Sequence, residues 1–465
     1  VPAMAETYGI SEDGKTYTFH LRDAKWSNGE AVTAADFVFG WQRAVDPATA
    51  SEYSYMLSDI GQVVNAAEII AGEKPVTDLG VTAVDDKTLE VQLNVPVSYF
   101  LSLMYFPTFY PVNEAFYNTC ADTFGTSPET VLSNGAFVLT DYQPAATAFA
   151  MEKNPDYYDA DKIALDGLAY QVIKDSQQAL MSYQTGTLDI TLLNGEQVDQ
   201  VKDDPEFTSV GAGYLWYISP NIDAVPDLAN LNLRKAMTFA LDRDAITGDV
   251  LKDGSTPAYT AVPAQFATGP DGSDFSADQT KFADDCAYDP EKAKELLAEA
   301  GYPNGYDLRV TVNTKYPTTL TIATALQAQM KEAGINVEVE QVDSSAWTDM
   351  KANGGVTCGI SNWYVDYNDP DSMLYPVSDG HSDLNSSFWH NDEFKQLMID
   401  GVQTDDETER QAIYQRADEI LTHEDFAVAM LYNETLFYLK KPYVTGFEVT
   451  STYRTMFANT DIVTE

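Results

Sequence analysis

The sequence predicts an α/β fold in which strands and helices alternate along the chain. Residues 308–342 predict one strand–helix–strand unit, which is typical of parallel sheets. Several other segments place apolar residues at the spacing of amphipathic helices. Proline and glycine are scattered, and the chain has no internal repeat and no low-complexity tract. We therefore expect lobes built from non-contiguous segments rather than domains joined by a flexible linker.

In the first half of the chain, Tyr17, Phe19 and Leu21 alternate with polar residues and predict a strand over residues 16–21. Thr33 is a candidate N-cap, because Asp36 follows it three residues later as in a capping box. A helix should start there. Further strands are predicted over residues 81–84, 89–93, 136–142 and 168–173, and further helices over residues 98–104 and 176–185.

In the second half, apolar residues at helical spacing predict one continuous helix over residues 232–246. Asp289 and Pro290 open another helix, which Gly301 ends. The strand–helix–strand unit consists of a strand over 308–312, a helix over 319–333 and a strand over 335–342. The last predicted elements are helices over residues 393–401 and 407–421 and a buried strand over residues 427–438.

The composition excludes several classes of function. The 465 residues suggest about three domains. The chain has 72 acidic and 27 basic residues and a net charge of −45, which would repel phosphate backbones and anionic lipid headgroups. We therefore expect no nucleic acid among its partners. No apolar run approaches the roughly 20 residues that a membrane-spanning helix needs.

The cysteines and histidines predict no metal site and no cofactor. Neither residue type has the spacing of a zinc site. One disulfide with one free thiol is compatible with the three cysteines, Cys120, Cys286 and Cys358. We interpret the four histidines as surface or core residues: His20, His381, His390 and His423.

The segment 363–370, WYVDYNDP, is the most informative part of the sequence. It places Asp366 among three aromatic side chains, and a carboxylate in a partly dry setting can pair with an ammonium group. Trp363 and Val365 alternate as in a short strand, whose backbone could dock an extended ligand. The alternative interpretation is a structural turn before Pro370.

Enzymatic activity is not predicted. The chain has no Gly-x-Ser-x-Gly elbow, no P-loop and no GxGxxG motif. Asp369 and Asp371 flank a proline and are interpreted as turn residues rather than as a catalytic acid and base.

Several segments resemble the extracellular solute-binding proteins of family 5, the peptide and nickel class. Residues 17–29 with 33–38, residues 233–243 and residues 289–301 are each similar to a signature of that family. Residues 70–75, residues 77–81 and the Asp366 segment are similar to its oligopeptide-binding subgroup, which serves ABC importers.

The resemblance implies a two-lobed periplasmic-binding-protein type II fold with an extra α/β domain. It places the extra domain at residues 1–132, lobe one at residues 133–232 plus 437–465, and lobe two at residues 233–436. Family members carry an N-terminal segment that supplies first strands of lobe one and an export signal. The resemblance therefore also implies that this chain is N-terminally truncated.

The resemblance implies a receptor that captures oligopeptides in an interlobe cleft and delivers them to the membrane permease of an ABC transporter. Such receptors are monomers in the periplasm or lipid-anchored on the outer face of the cell membrane. Backbone pairing and an amine–carboxylate bond would hold the peptide. The alternatives are a dipeptide, a nickel chelate, a small sugar or another small solute as ligand, a pheromone or chaperone-like receptor, or a hydrolytic enzyme.

The resemblance also assigns binding residues. Asp366 would pair with the ligand amine, and the strand that bonds the peptide backbone would include Trp363, Tyr364 and Val365. The remaining aromatic residues placed near the ligand are Trp347, Trp216 and Tyr217. The basic residues that some relatives use for the peptide carboxylate do not carry over: Ile360 occupies one such position, and Thr318 stands near another. Lys315 and Lys351 are interpreted as surface lysines, with a role as substitutes for those residues as the alternative.

Overall fold

The computed structural model describes residues 3–264, 266–277, 279–377, 387–450 and 455–463. Its strands are β1 Ala5–Ile10, β2 Thr16–Leu21, β3 Val81–Asp85, β4 Thr88–Gln92, β5 Phe137–Asp141, β6 Ala148–Lys153, β7 Gly167–Gln171, β8 Ile190–Leu193, β9 Phe207–Pro220, β10 Thr256–Pro257, β11 Tyr306–Asn313, β12 Ile335–Val342, β13 Cys358–Tyr364, β14 Ala429–Lys440, β15 Val444–Thr445, β16 Glu448–Val449, β17 Thr455–Met456 and β18 Asp461–Ile462.

Its α-helices are α1 Ala34–Val45, α2 Ala66–Ile70, α3 Phe100–Leu103, α4 Glu114–Cys120, α5 Ser176–Gln184, α6 Gly195–Val201, α7 Leu231–Phe239, α8 Arg243–Ala245, α9 Gln279–Asp285, α10 Pro290–Glu299, α11 Pro317–Glu332, α12 Ser344–Ala352, α13 Asp371–Leu374, α14 Asp392–Gln403 and α15 Glu407–Glu419. Within the described ranges, none of these helices combines the length and the apolarity that crossing a membrane requires.

The chain divides into two compact units. The first contains Val1–Ala179, Pro442–Glu448 and Thr455–Glu465, and the second contains Leu180–Lys441 and Val449–Arg454. The division into an extra domain and two lobes at residues 132, 232 and 436 stays a prediction.

The first unit contains the antiparallel sheet β1-β2-β4-β3, against which α1 packs. The predicted strand over residues 16–21 and the hairpin formed by β3 and β4 are confirmed. The capping box is also confirmed, since the side chain of Asp36 accepts the backbone N–H of Thr33 at 2.8 Å. Asp36 also accepts the indole N–H of Trp26 at 3.2 Å, and so the start of the helix is tied to the preceding turn.

A second antiparallel sheet of the first unit has the order β5-β6-β7. The two predicted strands of this region correspond to β5 and β7, whereas β6 between them was not predicted. Phe149 of β6 stacks on Tyr170 of β7 with a centroid distance of 4.4 Å.

The second unit is built on a mixed sheet with the order β10-β14-β9-β13-β11-β12, and β8 pairs with β14. The predicted strand–helix–strand unit is confirmed, because β11 and β12 are parallel and joined by α11. β13 is also parallel to β11, whereas β9 runs antiparallel to both β13 and β14.

Both faces of this sheet are covered by apolar cores. Core A, on the side of α7, α10 and α11, includes Trp216, Ile218, Met237, Leu297, Leu326, Ile360 and Leu431. Core B, on the side of α14 and α15, includes Leu215, Tyr217, Val365, Phe394, Tyr414 and Met430. β14 has no exposed residue and is therefore covered on both faces, and its sequence is largely apolar, as predicted for residues 427–438.

The continuous helix predicted over residues 232–246 is wrong. α7 ends at Phe239, and a new turn begins after Asp242, whose side chain accepts the backbone N–H of Ala245 at 2.9 Å. The break places the buried Arg243 where its Nε donates to the carbonyl of Met430 at 2.8 Å and its Nη1 to that of Cys286 at 3.1 Å. These hydrogen bonds satisfy a buried guanidinium that a straight helix would direct elsewhere.

All three cysteines are free thiols. Cys286 lies 3.3 Å from Nδ1 of His423, whose Nε2 lies 2.9 Å from the carbonyl of Tyr259. Burial raises the pKa of the Cys286 thiol to about 11, so this buried cysteine is not a reactive thiolate. His381 lies outside the described residues.

Candidate functional site

The candidate site lies in the second unit, at the carboxyl ends of its parallel strands. β11 ends at Asn313, β12 at Val342 and β13 at Tyr364, and all three point to the same edge of the sheet. α11 and α12 begin immediately after β11 and β12. In open α/β sheets, ligands bind outside the carboxyl ends of the strands.

The backbone of β13 offers groups for an extended ligand beyond the end of β11. β13 and β11 pair at Thr311 and Gly359, and β11 ends two residues later at Asn313. On its other side, β13 pairs with β9 as far as Tyr364. The amide of Val365 donates to the carbonyl of Gly213 on β9 at 2.7 Å. Because backbone groups alternate in direction along a strand, those of Asn362 and Tyr364 point away from β9.

Asp366 follows this strand and is only 3% exposed. Its backbone N–H donates to the hydroxyl of Ser372 at 3.0 Å. The indole N–H of Trp363 donates to the carbonyl of the same serine at 2.7 Å. Ser372 thus ties the end of β13 to α13 and fixes the position of Asp366.

A buried ionic network supports the segment that follows Asp366. Nη2 of Arg410 lies 2.6 Å from Oδ1 of Asp369, which also accepts the backbone N–H of Asp371 at 3.0 Å. The hydroxyls of Tyr367 and Tyr414 donate to the two oxygens of Asp371 at 2.5 and 3.1 Å. Every side chain of the network is therefore held by another, as complete burial requires.

Asp369 lies in the bend before α13, which agrees with its interpretation as a turn residue, whereas Asp371 is the first residue of α13. Burial, and next the charge of Asp369, raises the pKa of Asp371 to about 6. Both carboxylates accept hydrogen bonds from groups that hold the segment in place. The partners Arg410 and Tyr414 were missed, because they lie about 40 residues away in the sequence.

The structure brings the predicted aromatic residues together on neighbouring strands but not on one face. Trp216 belongs to core A and Tyr217 to core B. Trp363 packs against core B, whereas Tyr364 is 42% exposed and stacks on Tyr214 with a centroid distance of 5.9 Å. This follows from the alternation of side chains along a strand.

On the core B face, Tyr217 and Trp363 line a small cavity of about 10 Å³. The other lining residues are mostly apolar: Leu215, Ala261, Met373, Pro376, Val377, Leu421, Val428 and Met430. A space of this volume holds at most one water molecule. Tyr217 and Trp363 are therefore tightly packed on this face and leave no room for a ligand between them.

Trp347 lies on α12 and is half-buried. Its Cη2 would be only 2.8 Å from a Cβ at Gly359, which would also lie 3.0 Å from Cγ1 of Val356. Gly359 therefore lets the indole approach β13 closely. The buried hydroxyl of the neighbouring Ser361 has no hydrogen-bond partner within the described parts of the chain.

On the core A face, a glutamate that the sequence analysis missed contacts the aromatic residues. Oε2 of Glu434 on β14 accepts the indole N–H of Trp216 at 2.8 Å. The sequence separation of 218 residues left no local signal for this pair.

The structure also describes two of the residues that were considered for the peptide carboxylate, Ile360 and Lys315. Ile360 is buried in core A. Nζ of Lys315 lies 5.3 Å from the ring centroid of Tyr316, immediately before α11. In the parts of the chain that the structure describes, no group of three histidine, cysteine or acidic side chains could hold a metal ion.

Comparison with known proteins identifies the family. The family described as "Bacterial extracellular solute-binding proteins, family 5 Middle" matches residues 1–384. The periplasmic oligopeptide-binding protein OppA of Escherichia coli K12 is 33% identical over 469 residues, covering 96% of this chain and 81% of the relative. The probable deoxycholate-binding periplasmic protein YgiS of the same strain is 33% identical over 451 residues, covering 96% and 82%.

A solved structure entitled "Listeria monocytogenes OppA bound to peptide" has a TM-score of 0.82 and 30% sequence identity. The match covers 100% of this chain and 91% of that one. The predicted family and the α/β fold of periplasmic binding proteins are thereby confirmed, and the chain belongs to the bacterial extracellular solute-binding proteins of family 5.

Proposed function

We propose that this protein is the substrate-binding receptor of an ABC importer and that its cargo is an oligopeptide. The observation that carries the proposal is that β13 extends beyond the end of β11 towards the buried Asp366, in a chain that is 33% identical to an oligopeptide-binding protein. As for other proteins of this family, its place of action is outside the cytoplasm. The receptor delivers the peptide to a membrane permease.

Backbone pairing explains how one site accepts many peptides. Every peptide presents the same pattern of N–H and C=O groups, so a strand added beside Asn362 and Tyr364 is bound whatever its side chains. The amine of the first residue pairs with the carboxylate of Asp366, which sets the register through a charge-assisted hydrogen bond. The buried surroundings of Asp366 strengthen this bond, because a low local dielectric weakens electrostatic interactions less than water does.

Binding alone accounts for this arrangement, and we propose no enzymatic activity. The acidic groups nearest to Asp366 in sequence, Asp369 and Asp371, are engaged with Arg410 and two tyrosines. They support the binding segment and are not positioned as a separate acid and base.

Native mass spectrometry of the purified protein tests the proposal. Incubation with an equimolar mixture of di-, tri-, tetra- and pentaalanine should give complexes with peptides of three or more residues. Deoxycholate, the ligand in the name of one relative, is the matched non-peptide competitor. Binding of deoxycholate without any peptide complex would contradict the proposal, and binding of dialanine alone would make the protein a dipeptide receptor.

A further inference from the structure

Glu434 is a half-buried carboxylate in an unusual setting on β14. Its carboxylate accepts the indole N–H of Trp216, a neutral donor, at 2.8 Å. The pKa of Glu434 is raised: burial raises it most, the hydrogen bond from Trp216 partly offsets this, and the charge of Asp253 raises it as well. Among the residues that the structure describes, no positively charged group contributes to the pKa of Glu434, although its carboxyl group becomes anionic when it loses its proton.

The described parts of the chain supply no cation to Glu434 or Asp253. Neither residue takes part in any ion pair between described residues. A desolvated carboxylate without a countercharge costs free energy unless a cation arrives from outside. The ligand is a ready source of such a cation.

The indole that contacts Glu434 belongs to a cluster of aromatic rings that suits a cation. Trp216 lies 5.9 Å from Tyr214 and 5.5 Å from Tyr316 between ring centroids. Tyr364 stacks on Tyr214 at 5.9 Å. We call Tyr214, Trp216, Tyr316 and Tyr364 the aromatic enclosure. The electron-rich faces of tyrosine and tryptophan attract ammonium and guanidinium groups.

The position of the enclosure relative to β13 determines which cations can reach it. Trp216 on β9 pairs with Asn362 on β13, so the indole lies one strand away from the backbone proposed to bind the peptide. Strands are about 4.8 Å apart, which puts a peptide strand on the far side of β13 about 10 Å from β9. The charge of a ligand must therefore be carried on a long side chain, as in lysine and arginine.

We propose that Glu434 is a specificity-determining residue that binds the lysine or arginine side chain of a peptide within the aromatic enclosure. This inference rests on the proposed function, because it requires a peptide next to β13. The carboxylate supplies the charge, Trp216 orients it, and the tyrosines cover the stem of the basic side chain.

The substitution Glu434→Gln separates this role from a structural one. A glutamine carbonyl can accept the same hydrogen bond from Trp216, so the side-chain volume and the indole contact are kept. Only the charge is removed. Glu338→Gln is the matched control, because Glu338 lies on β12 of the same sheet and is exposed.

Isothermal titration calorimetry should be done with tetraalanine and with tetraalanines carrying lysine or norleucine at each position in turn. For at least one position, the wild-type protein should bind the lysine-containing peptide about tenfold more tightly than the norleucine-containing peptide. A gain of this size is expected from one charge-assisted contact. Glu434→Gln should reduce this ratio to about one, and Glu338→Gln should keep it. The melting temperature of each variant verifies that it is folded.

Two outcomes distinguish the inference from the function beneath it. If tetraalanine binds but lysine gives no gain at any position, or the gain survives Glu434→Gln, the role of Glu434 is refuted and the peptide receptor stands. If none of the tetrapeptides binds to the folded wild-type protein, the proposed function itself fails, and this inference with it.

Discussion

Arg410 and Asp369 form an ion pair of 2.6 Å in which both side chains are largely buried. Asp369 lies three residues after Asp366, whereas Arg410 comes from α15. The pair thus connects the segment that carries the candidate ligand carboxylate to a long helix of the second unit. Because buried pairs are expensive to break from one side only, this connection should be rigid.

Arg410→Ala should destabilise the protein by about 3–5 kcal/mol, because it leaves the carboxylate of Asp369 buried without a countercharge. Urea denaturation followed by circular dichroism measures the effect. Arg309→Ala is the control, since Arg309 is exposed and lies 3.9 Å from Glu338. It should cost about 1 kcal/mol or less, and equal losses in the two variants would contradict the structural role of the buried pair.

Asp366→Asn should weaken the binding of peptides with a free amine by about ten- to a hundredfold, because a charge-assisted bond becomes a neutral one. N-acetylated peptides lack the cation and should lose much less. Calorimetry with trialanine and N-acetyl-trialanine measures both effects. Asp307→Asn, on the exposed side of β11, is the control. Equal affinities of wild type and Asp366→Asn for trialanine would refute the assignment.

Asp371 should make the protein less stable as the pH rises from about 4 to about 6. Burial raises its folded-state pKa from 3.8 to about 6, so the folded state holds the proton more tightly than the unfolded state does. The destabilisation is absent below pH 4 and complete above pH 6, where it reaches on the order of 3 kcal/mol.

Asp371→Asn removes this titration while it keeps the shape of the side chain. The difference in unfolding free energy between the variant and the wild type should therefore shift in favour of the variant as the pH rises through that window. Urea titrations at pH 4, 5, 6 and 7 measure the shift. A difference that does not change with pH would show that Asp371 has similar pKa values in both states.

Gly359→Ala should displace Trp347 from β13, because the new Cβ would lie 2.8 Å from its ring. We expect a loss of about 1–3 kcal/mol in stability and a shift of tryptophan emission as the indole becomes more exposed. The control is Gly248→Ala, where no atom lies within 4 Å of the added Cβ. An unchanged emission spectrum in Gly359→Ala would mean that Trp347 does not depend on this close approach.

Local patterns were sufficient to predict many elements of the fold. The N-cap at Thr33, the strand over residues 16–21 and the parallel pair β11 and β12 each have a signal contained in a few neighbouring residues. The central strand β9 was missed. Its residues 215–220 are buried on both faces, Ser209 and Gly211 are exposed, and two glycines interrupt its apolar run, so neither strand alternation nor a bounded apolar segment marks it.

The candidate site was less predictable than the fold, because its contacts join distant parts of the chain. The sequence marks Asp366 by its aromatic neighbours, yet its support by Ser372 and the partnership of Asp369 with Arg410 depend on tertiary structure. The family resemblance placed Trp216 and Tyr217 together near the ligand. Strand alternation instead sends their side chains to opposite faces, and Glu434 becomes visible only when β14 is paired with β9.

The part of β13 that extends beyond β11 is short, and this limits how much of a ligand the strand can recognise. β11 ends at Asn313, opposite Ser361 in the middle of β13, and β13 ends at Tyr364. Only residues 362–364 therefore lie beyond β11, and they can offer main-chain bonds to only the leading two or three residues of a ligand. Every further residue of the ligand forms no main-chain bond to this strand. Its contribution to affinity should therefore level off with increasing chain length, and long and short cargo should be anchored by the same few atoms.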